Sequence, residues 1–199
     1  MAVDPNEKIV AGFLSERGFR CVRFSTDEIG RAPTPDFRVY QGADFRFFCE
    51  VKTINKDIWL DKQLSVVPPG TMAGGLRDDP TFNRLTSDIH TATKQFDAVN
   101  PDVEFPNVLA FVNNESTCIL HDLYEVFTGN FRSQDGTLYP ISKKYSEGRI
   151  REKKFRIHMF IWIDLCKSTH NFMYTDMTNA HVSSLCKWLG KDPKLIKRY

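Results

Sequence analysis

The chain has 199 residues, 41% hydrophobic and 26% charged, the proportions of an ordinary folded domain, which exclude a disordered or fibrous chain. A formal charge of +2 conceals segregation: residues 141–156 carry seven basic and two acidic side chains and residues 187–199 five and one, leaving a net −7 on the rest. A basic stripe on an acidic body suits a polyanionic partner. No run of about 18 apolar residues offers a membrane span and the first ten residues lack a secretory pattern, so an intracellular, cytoplasmic protein with no membrane partner is expected.

In chain order, residues 5–18 read as a helix with Ile9, Val10, Phe13 and Leu14 on one stripe, Asp4 as cap, Pro5 in the first turn and Gly18 as the stop. Residues 19–24 read as a strand, and residues 25–35, with Gly30, Pro33 and Pro35, as a loop. Residues 36–40 and 44–54 read as two strands joined by a turn at Gly42. Residues 55–81 hold Pro68, Pro69, Gly70, Gly74, Gly75 and Pro80 without periodicity, a long loop suited to a flap. A helix follows over 81–99, with Leu85, Ile89, Ala92, Phe96 and Val99 on one stripe, and then a continuous apolar strand over 107–113.

Beyond this α-β-β-β-α-β series, the pattern predicts a short helix over 118–129, strands over 155–165 and 171–175, a helix over 179–190 and a basic tail. The five cysteines are scattered and odd in number, which favours reduced structural thiols over a disulfide framework or a zinc site.

The hairpin carries the chemistry. With the turn centred on Ala43, Asp36 falls opposite Glu50 on the same face, with Cβ atoms roughly 5 Å apart. Like charges so placed repel, and the arrangement makes sense when a cation sits between them. Lys52 projects on that face, while Phe47, Cys49 and Val51 turn the other way into apolar packing. Two carboxylates with open coordination suit Mg²⁺, with Mn²⁺ able to substitute, and phosphate oxygens completing the shell. With Lys52 to hold the attacking water or neutralise developing charge, this outlines phosphodiester hydrolysis. The bland alternative is a hairpin whose charged face simply meets water.

Pro35 and Asp36, followed after thirteen intervening residues by Glu50, Val51 and Lys52, resemble the signature of the PD-(D/E)xK nuclease superfamily. The resemblance covers residues 5–113. It implies a restriction-endonuclease-like α/β fold: an α-β-β-β-α-β core at 1–115 with a mixed sheet flanked by helices, plus a C-terminal α+β extension at 116–199 packed on it. It also implies that Asp36 and Glu50 ligate the metal, that the Val51 carbonyl completes the set, and that Lys52 is the catalytic lysine. The first helix resembles that of the Holliday-junction-resolvase-like branch, which selects Glu7 over Glu16 as a supporting ligand or water-orienting base. Gln95 is a softer candidate on the following helix, with Lys94 and His90 as rivals. The long loop at 55–81 departs from that branch.

Other motifs carry less. The glycines at 70–75 lack a GK[ST] continuation, His121–Asp122 reads as a helix cap or surface pair, and His170–Asn171 lacks the rest of an HNH arrangement. Phe155, Phe160 and Trp162 read as core, whereas Trp59 could stack on a base. The resulting expectation is a Mg²⁺-dependent endonuclease acting on DNA, with Lys143, Lys144, Arg149, Arg151, Lys153 and Lys154 contacting phosphates and homodimerisation through the extension. The alternatives are a catalytically silent nuclease-fold subunit that binds nucleic acid or a protein assembly, and an RNA-directed nuclease.

Overall fold

The computed structural model describes residues 4–56, 65–68, 70, 80–133, 135–140, 150, 154–176 and 178–190. Helix α1 (Pro5–Ser15) starts where the Asp4 carboxylate accepts the Asn6 N–H at 2.7 Å, and the chain turns out of it through Gly18 at φ 80°. Strand β1 (Arg20–Arg23) follows. The segment expected to be loop then forms a six-residue helix, α2 (Thr26–Arg31). Its start is a capping box in which Ser25 and Glu28 exchange side-chain and backbone bonds. None of its residues is buried, so it left no apolar period in the sequence.

Strands β2 (Phe37–Gln41) and β3 (Asp44–Ile54) form the hairpin. Phe37 pairs with Cys49 and Val39 with Phe47, in the register read from the sequence, but a bulge between Val39 and Tyr40 shifts the tip so that Gln41 pairs with Asp44. Gly42, at φ 63°, supplies the left-handed residue this tight turn requires. Helix α3 (Pro80–Val99) leads to β4 (Asn107–Asn113). Helix α4 (Leu120–Thr128) ends on Gly129 at φ 75°. A small unforeseen hairpin follows, β5 (Asn130–Arg132) with β6 (Leu138–Pro140), then a 3-10 turn at Lys154–Arg156, β7 (Met159–Asp164), β8 (Thr169–Tyr174) and α5 (Ala180–Trp188).

The protein is α/β, with a six-stranded mixed sheet in the order β1-β2-β3-β4-β7-β8. β3 is antiparallel to β2 and parallel to β4, and β4 is parallel to β7. β7 and β8 thus continue the sheet begun by residues 1–115 rather than forming a sheet of their own. Every residue of β4 and β7 is buried, as parallel strands covered on both faces require.

Two apolar layers result. On one face Val10 and Leu14 of α1 and Leu185 of α5 meet Phe47, Cys49, Val108 and Ile161. On the other, Leu85, Ile89, Ala92 and Phe96 of α3 and Leu123 and Val126 of α4 cover Leu109, Phe111, Phe160 and Trp162. Alternation along β3 assigns Phe47, Cys49 and Val51 to the α1 face and Phe48, Glu50, Lys52 and Ile54 to the α3 face. No described helix is long and apolar enough to cross a membrane.

Candidate functional site

The site forms where β2 peels away from β3. Pro35 has no N–H to continue the ladder, and Phe37–Cys49 is its last pair. The ladder is replaced by side chains: Val51 N–H donates to Asp36 Oδ2 at 2.8 Å, and Asp36 N–H donates to Glu50 Oε2 at 3.1 Å. Asp36 and Glu50 are thereby held against each other by backbone groups of their own motif. Lys52 Nζ lies 2.6 Å from Glu50 Oε1 and donates to Gln95 Oε1 at 3.2 Å. Gln95 is fixed at its other end, where Nε2 donates to the Thr34 carbonyl at 2.9 Å.

This face of β3 is not a wet surface, as the bland alternative would have it. α3 covers it, and Glu50 is only 2% exposed. Burial raises the Glu50 pKa first and the Asp36 carboxylate second, together carrying it to about 8 in spite of Lys52. The 2.6 Å contact is of the kind an ammonium makes with a carboxylate, but at Glu50 it does not offset burial together with the neighbouring Asp36 carboxylate. Asp36 is likewise raised, chiefly by burial, against hydrogen bonds from Val51 and with Glu50 that lower it. The pair is short of positive charge.

Glu7, in the first turn of α1, reaches the same place. Burial and then Asp36 raise its pKa, while Arg23 of β1 lowers it. Arg23 Nη2 stands 2.6 Å from Glu7 Oε2 as an ion pair, and that buried oxygen accepts no hydrogen bond among the described residues. Glu16 carries a surface contact with Arg17 at 3.8 Å. Lys94 is exposed and His90 half-buried, and neither is placed on Lys52 as Gln95 is.

Sequence reasoning missed three charged neighbours. Arg23 acts on Glu7 and Asp36. Asp88, on α3, is half-buried and its pKa is pushed up to about 6 by burial, with Lys52 and Arg84 opposing. Arg84 anchors α3 to the end of β3 through the Asn55 carbonyl at 3.1 Å. The signal for Asp88 was its spacing: it precedes Gln95 by seven residues and shares its side of the helix.

Among the described residues no group of three His, Cys, Asp or Glu side chains forms a metal cage. What is present is an open set of hard oxygens: the Asp36 and Glu50 carboxylates, with the undonated Glu7 oxygen close enough to feel Asp36. Such a set fits an ion like Mg²⁺, which keeps several waters and needs only one or two carboxylates.

Of the phosphate-contact candidates, Lys143, Lys144, Arg149, Arg151 and Lys153 lie outside the described residues, as does Trp59, while Lys154 opens the 3-10 turn. A cavity of about 650 Å³ lies elsewhere, lined by His121, Tyr124 and Phe127 of α4 and by Trp162, Asp164 and Met173 of β7 and β8. It shares no residue with the acid cluster, where among the described residues Asp36 raises the pKa of both Glu50 and Glu7. Asp122 caps α4 by accepting the Ile119 N–H at 2.8 Å, and Trp162 is 1% exposed, a core residue. No protein-family model, curated protein or solved structure matches the chain.

Proposed function

We propose that this protein is a metal-dependent nuclease of the PD-(D/E)xK kind that hydrolyses phosphodiester bonds within DNA. The observation that carries the reading is the Asp36–Glu50 pair, with Glu50 buried and Asp36 half-buried, in which the Glu50 carboxyl stays raised to about 8 even with Lys52 2.6 Å away. A purely structural cluster gains nothing from seating a second acid where it raises the pKa of a buried one, whereas a cation site needs both.

Asp36 and Glu50 would hold Mg²⁺, or Mn²⁺ in its place, with the Val51 carbonyl and Glu7 as supporting ligands. The ion supplies charge stabilisation at a phosphoryl oxygen and a more acidic water. Asp36 keeps one oxygen on the Val51 N–H, which fixes its rotamer and leaves its other oxygen to point elsewhere. Lys52 brings N–H donors and a positive charge to the scissile phosphate or the attacking water. Gln95, anchored on Thr34, restricts where that ammonium can stand. Glu7 would orient or deprotonate the water, its Oε2 paired with Arg23 at 2.6 Å but accepting no hydrogen bond among the described residues. The basic residues Lys143, Lys144, Arg149, Arg151, Lys153 and Lys154 would add phosphate contacts that contribute affinity without reading sequence.

The test is incubation of purified protein with supercoiled plasmid, linear duplex, single-stranded DNA and RNA, in Mg²⁺, Mn²⁺ or EDTA, beside Lys52→Ala. Metal-dependent nicking or linearisation of plasmid that the variant lacks supports the reading. Cleavage confined to RNA would change the substrate class, and binding without cleavage under every condition would reduce the protein to a nucleic-acid-binding subunit.

A further inference from the structure

One carboxylate at the site has no role in the mechanism above. Asp88 is half-buried on α3, yet among the described residues it makes no hydrogen bond or ion pair; the cations that act on it are Lys52 and Arg84. Arg84 is engaged with the Asn55 carbonyl. Asp88, Ala92 and Gln95 fall at i, i+4 and i+7, one stripe of the helix. Helical side chains lean toward the N-terminus, so Gln95 leans toward Asp88, and the Lys52 ammonium that Gln95 accepts at 3.2 Å is close enough for its charge to act on Asp88.

Lys52 is also in competition. Its partner at 2.6 Å is Glu50, the carboxylate that a divalent cation would claim. An ammonium and a divalent ion on one carboxylate repel each other strongly in a buried site, so loading the ion displaces Lys52. Its flexible four-carbon stem permits a swing, and Asp88 is an acid near it that makes no hydrogen bond or ion pair among the described residues.

Resting on the nuclease reading, we infer that Asp88 is a positioning residue: the counter-ion to which Lys52 passes when Glu50 takes the metal. Gln95, held by Thr34, stays in place as the pivot. Metal loading and placement of the catalytic lysine then become one coupled event. The metal-free protein keeps Lys52 on Glu50, where it occupies the ligand, and the loaded protein holds it on Asp88, away from the ion and free to present its remaining donors to the substrate. The same arrangement accounts for a carboxylate that burial disfavours and that no described residue satisfies by a hydrogen bond or ion pair.

The test is a double-mutant cycle on Mg²⁺ affinity, measured by calorimetry on DNA-free protein for the wild type, Asp88→Asn, Lys52→Met and the double variant. Lys52→Met removes the competing cation and should tighten binding. Asp88→Asn should weaken binding about tenfold when Lys52 is present and less than twofold when it is Met, and Asp88→Glu should restore most of the wild-type affinity. Equal weakening in both backgrounds would mean that Asp88 acts on the ion directly, and no effect in either would mean that it plays no part; each overturns the inference while leaving the nuclease reading standing. A wild-type protein that binds no Mg²⁺ would overturn both. Thermal unfolding of the four proteins checks that each is folded.

Discussion

Replacing Glu50 with Gln should stabilise the metal-free protein at alkaline pH while destroying the site. A carboxyl whose pKa rises from 4.5 to about 8 on folding binds its proton more tightly in the native state. The sign follows: the native state gains at pH below the unfolded value, and the gain is lost as pH rises toward the folded value. Between pH 6.5 and 8 the native protein should lose about 1.1 kcal/mol per pH unit from this group, less than the full ~1.4 because the native carboxyl is itself half ionised at its folded value. Asp88, raised to about 6, acts mainly below that window, and His158, whose pKa burial lowers to about 4, costs stability only as pH falls below its ordinary value of 6.5. Buried thiols such as Cys21, raised to about 11, matter only above the usual thiol range. Gln keeps the size of the side chain and removes the titration. Lys52 then loses its partner, so the net gain at pH 8 should be about 2 kcal/mol, below the roughly 5 kcal/mol that the pKa change alone would set. Urea unfolding in EDTA at several pH values measures it. A wild-type stability that stays level or rises from pH 6.5 to 8, or a variant no more stable than wild type at pH 8, would refute the claim that these acids are short of positive charge. Saturating Mg²⁺ should restore the wild type and leave Glu50→Gln unchanged.

Lys52→Ala should abolish plasmid cleavage while far-UV circular dichroism and DNA affinity stay within about twofold of wild type; an unchanged cleavage rate would remove Lys52 from the chemistry. Asn113→Ala should cost about 3 kcal/mol in urea unfolding. Its buried amide donates to the Glu115 and Cys118 carbonyls and accepts the Glu115 N–H, so three backbone groups lose their partner, and a loss below about 1 kcal/mol would show that water replaces the side chain. Neutralising Lys143, Lys144, Arg149 and Arg151 together should lower the slope of log affinity against log salt by about three to four on duplex DNA. A slope equal to wild type would place the phosphate contacts elsewhere.

Much of the fold was legible because its elements are periodic. The bounds of β3 and β4 coincide with those read from the apolar pattern, and the stripe Leu85, Ile89, Ala92, Phe96 is buried as its spacing requires. What was missed lacks a period. α2 is six residues with no buried face, and its only advertisement is the Ser25–Glu28 capping box; β5 and β6 have three residues each, too few to alternate. The acid pair was legible because register is arithmetic: once the turn is placed, Glu50 must face Asp36. The bulge after Val39 could have spoiled that count, but it lies between the pair and the tip and shifts only the outer residues. Asp88 and Arg23 escaped because they come from other elements, and only tertiary packing decides that α3 brings Asp88 and β1 brings Arg23 to the motif.

The site's location follows from a conflict in hydrogen bonding. A buried strand must pair its N–H groups, and β3 is paired on both sides, by β2 and by β4. Where Pro35 ends β2, the Val51 N–H would be orphaned, and Asp36 is the acceptor that rescues it. The Asp36 N–H would be orphaned in turn, and Glu50 rescues that. Each carboxylate therefore has a structural partner on one oxygen, which offsets part of the cost of burial and fixes both side chains without a metal. Their remaining acceptor capacity and their mutual repulsion are not satisfied this way. Removing Asp36 consequently should act twice, on the strand junction and on the cation, whereas Lys52, which caps no backbone group, can be lost with the junction intact. That difference separates the scaffold of the site from its chemistry: Asp36→Ala should lower stability by about 1–3 kcal/mol together with Mg²⁺ affinity, and Lys52→Ala should leave the junction intact and tighten Mg²⁺ binding while eliminating cleavage.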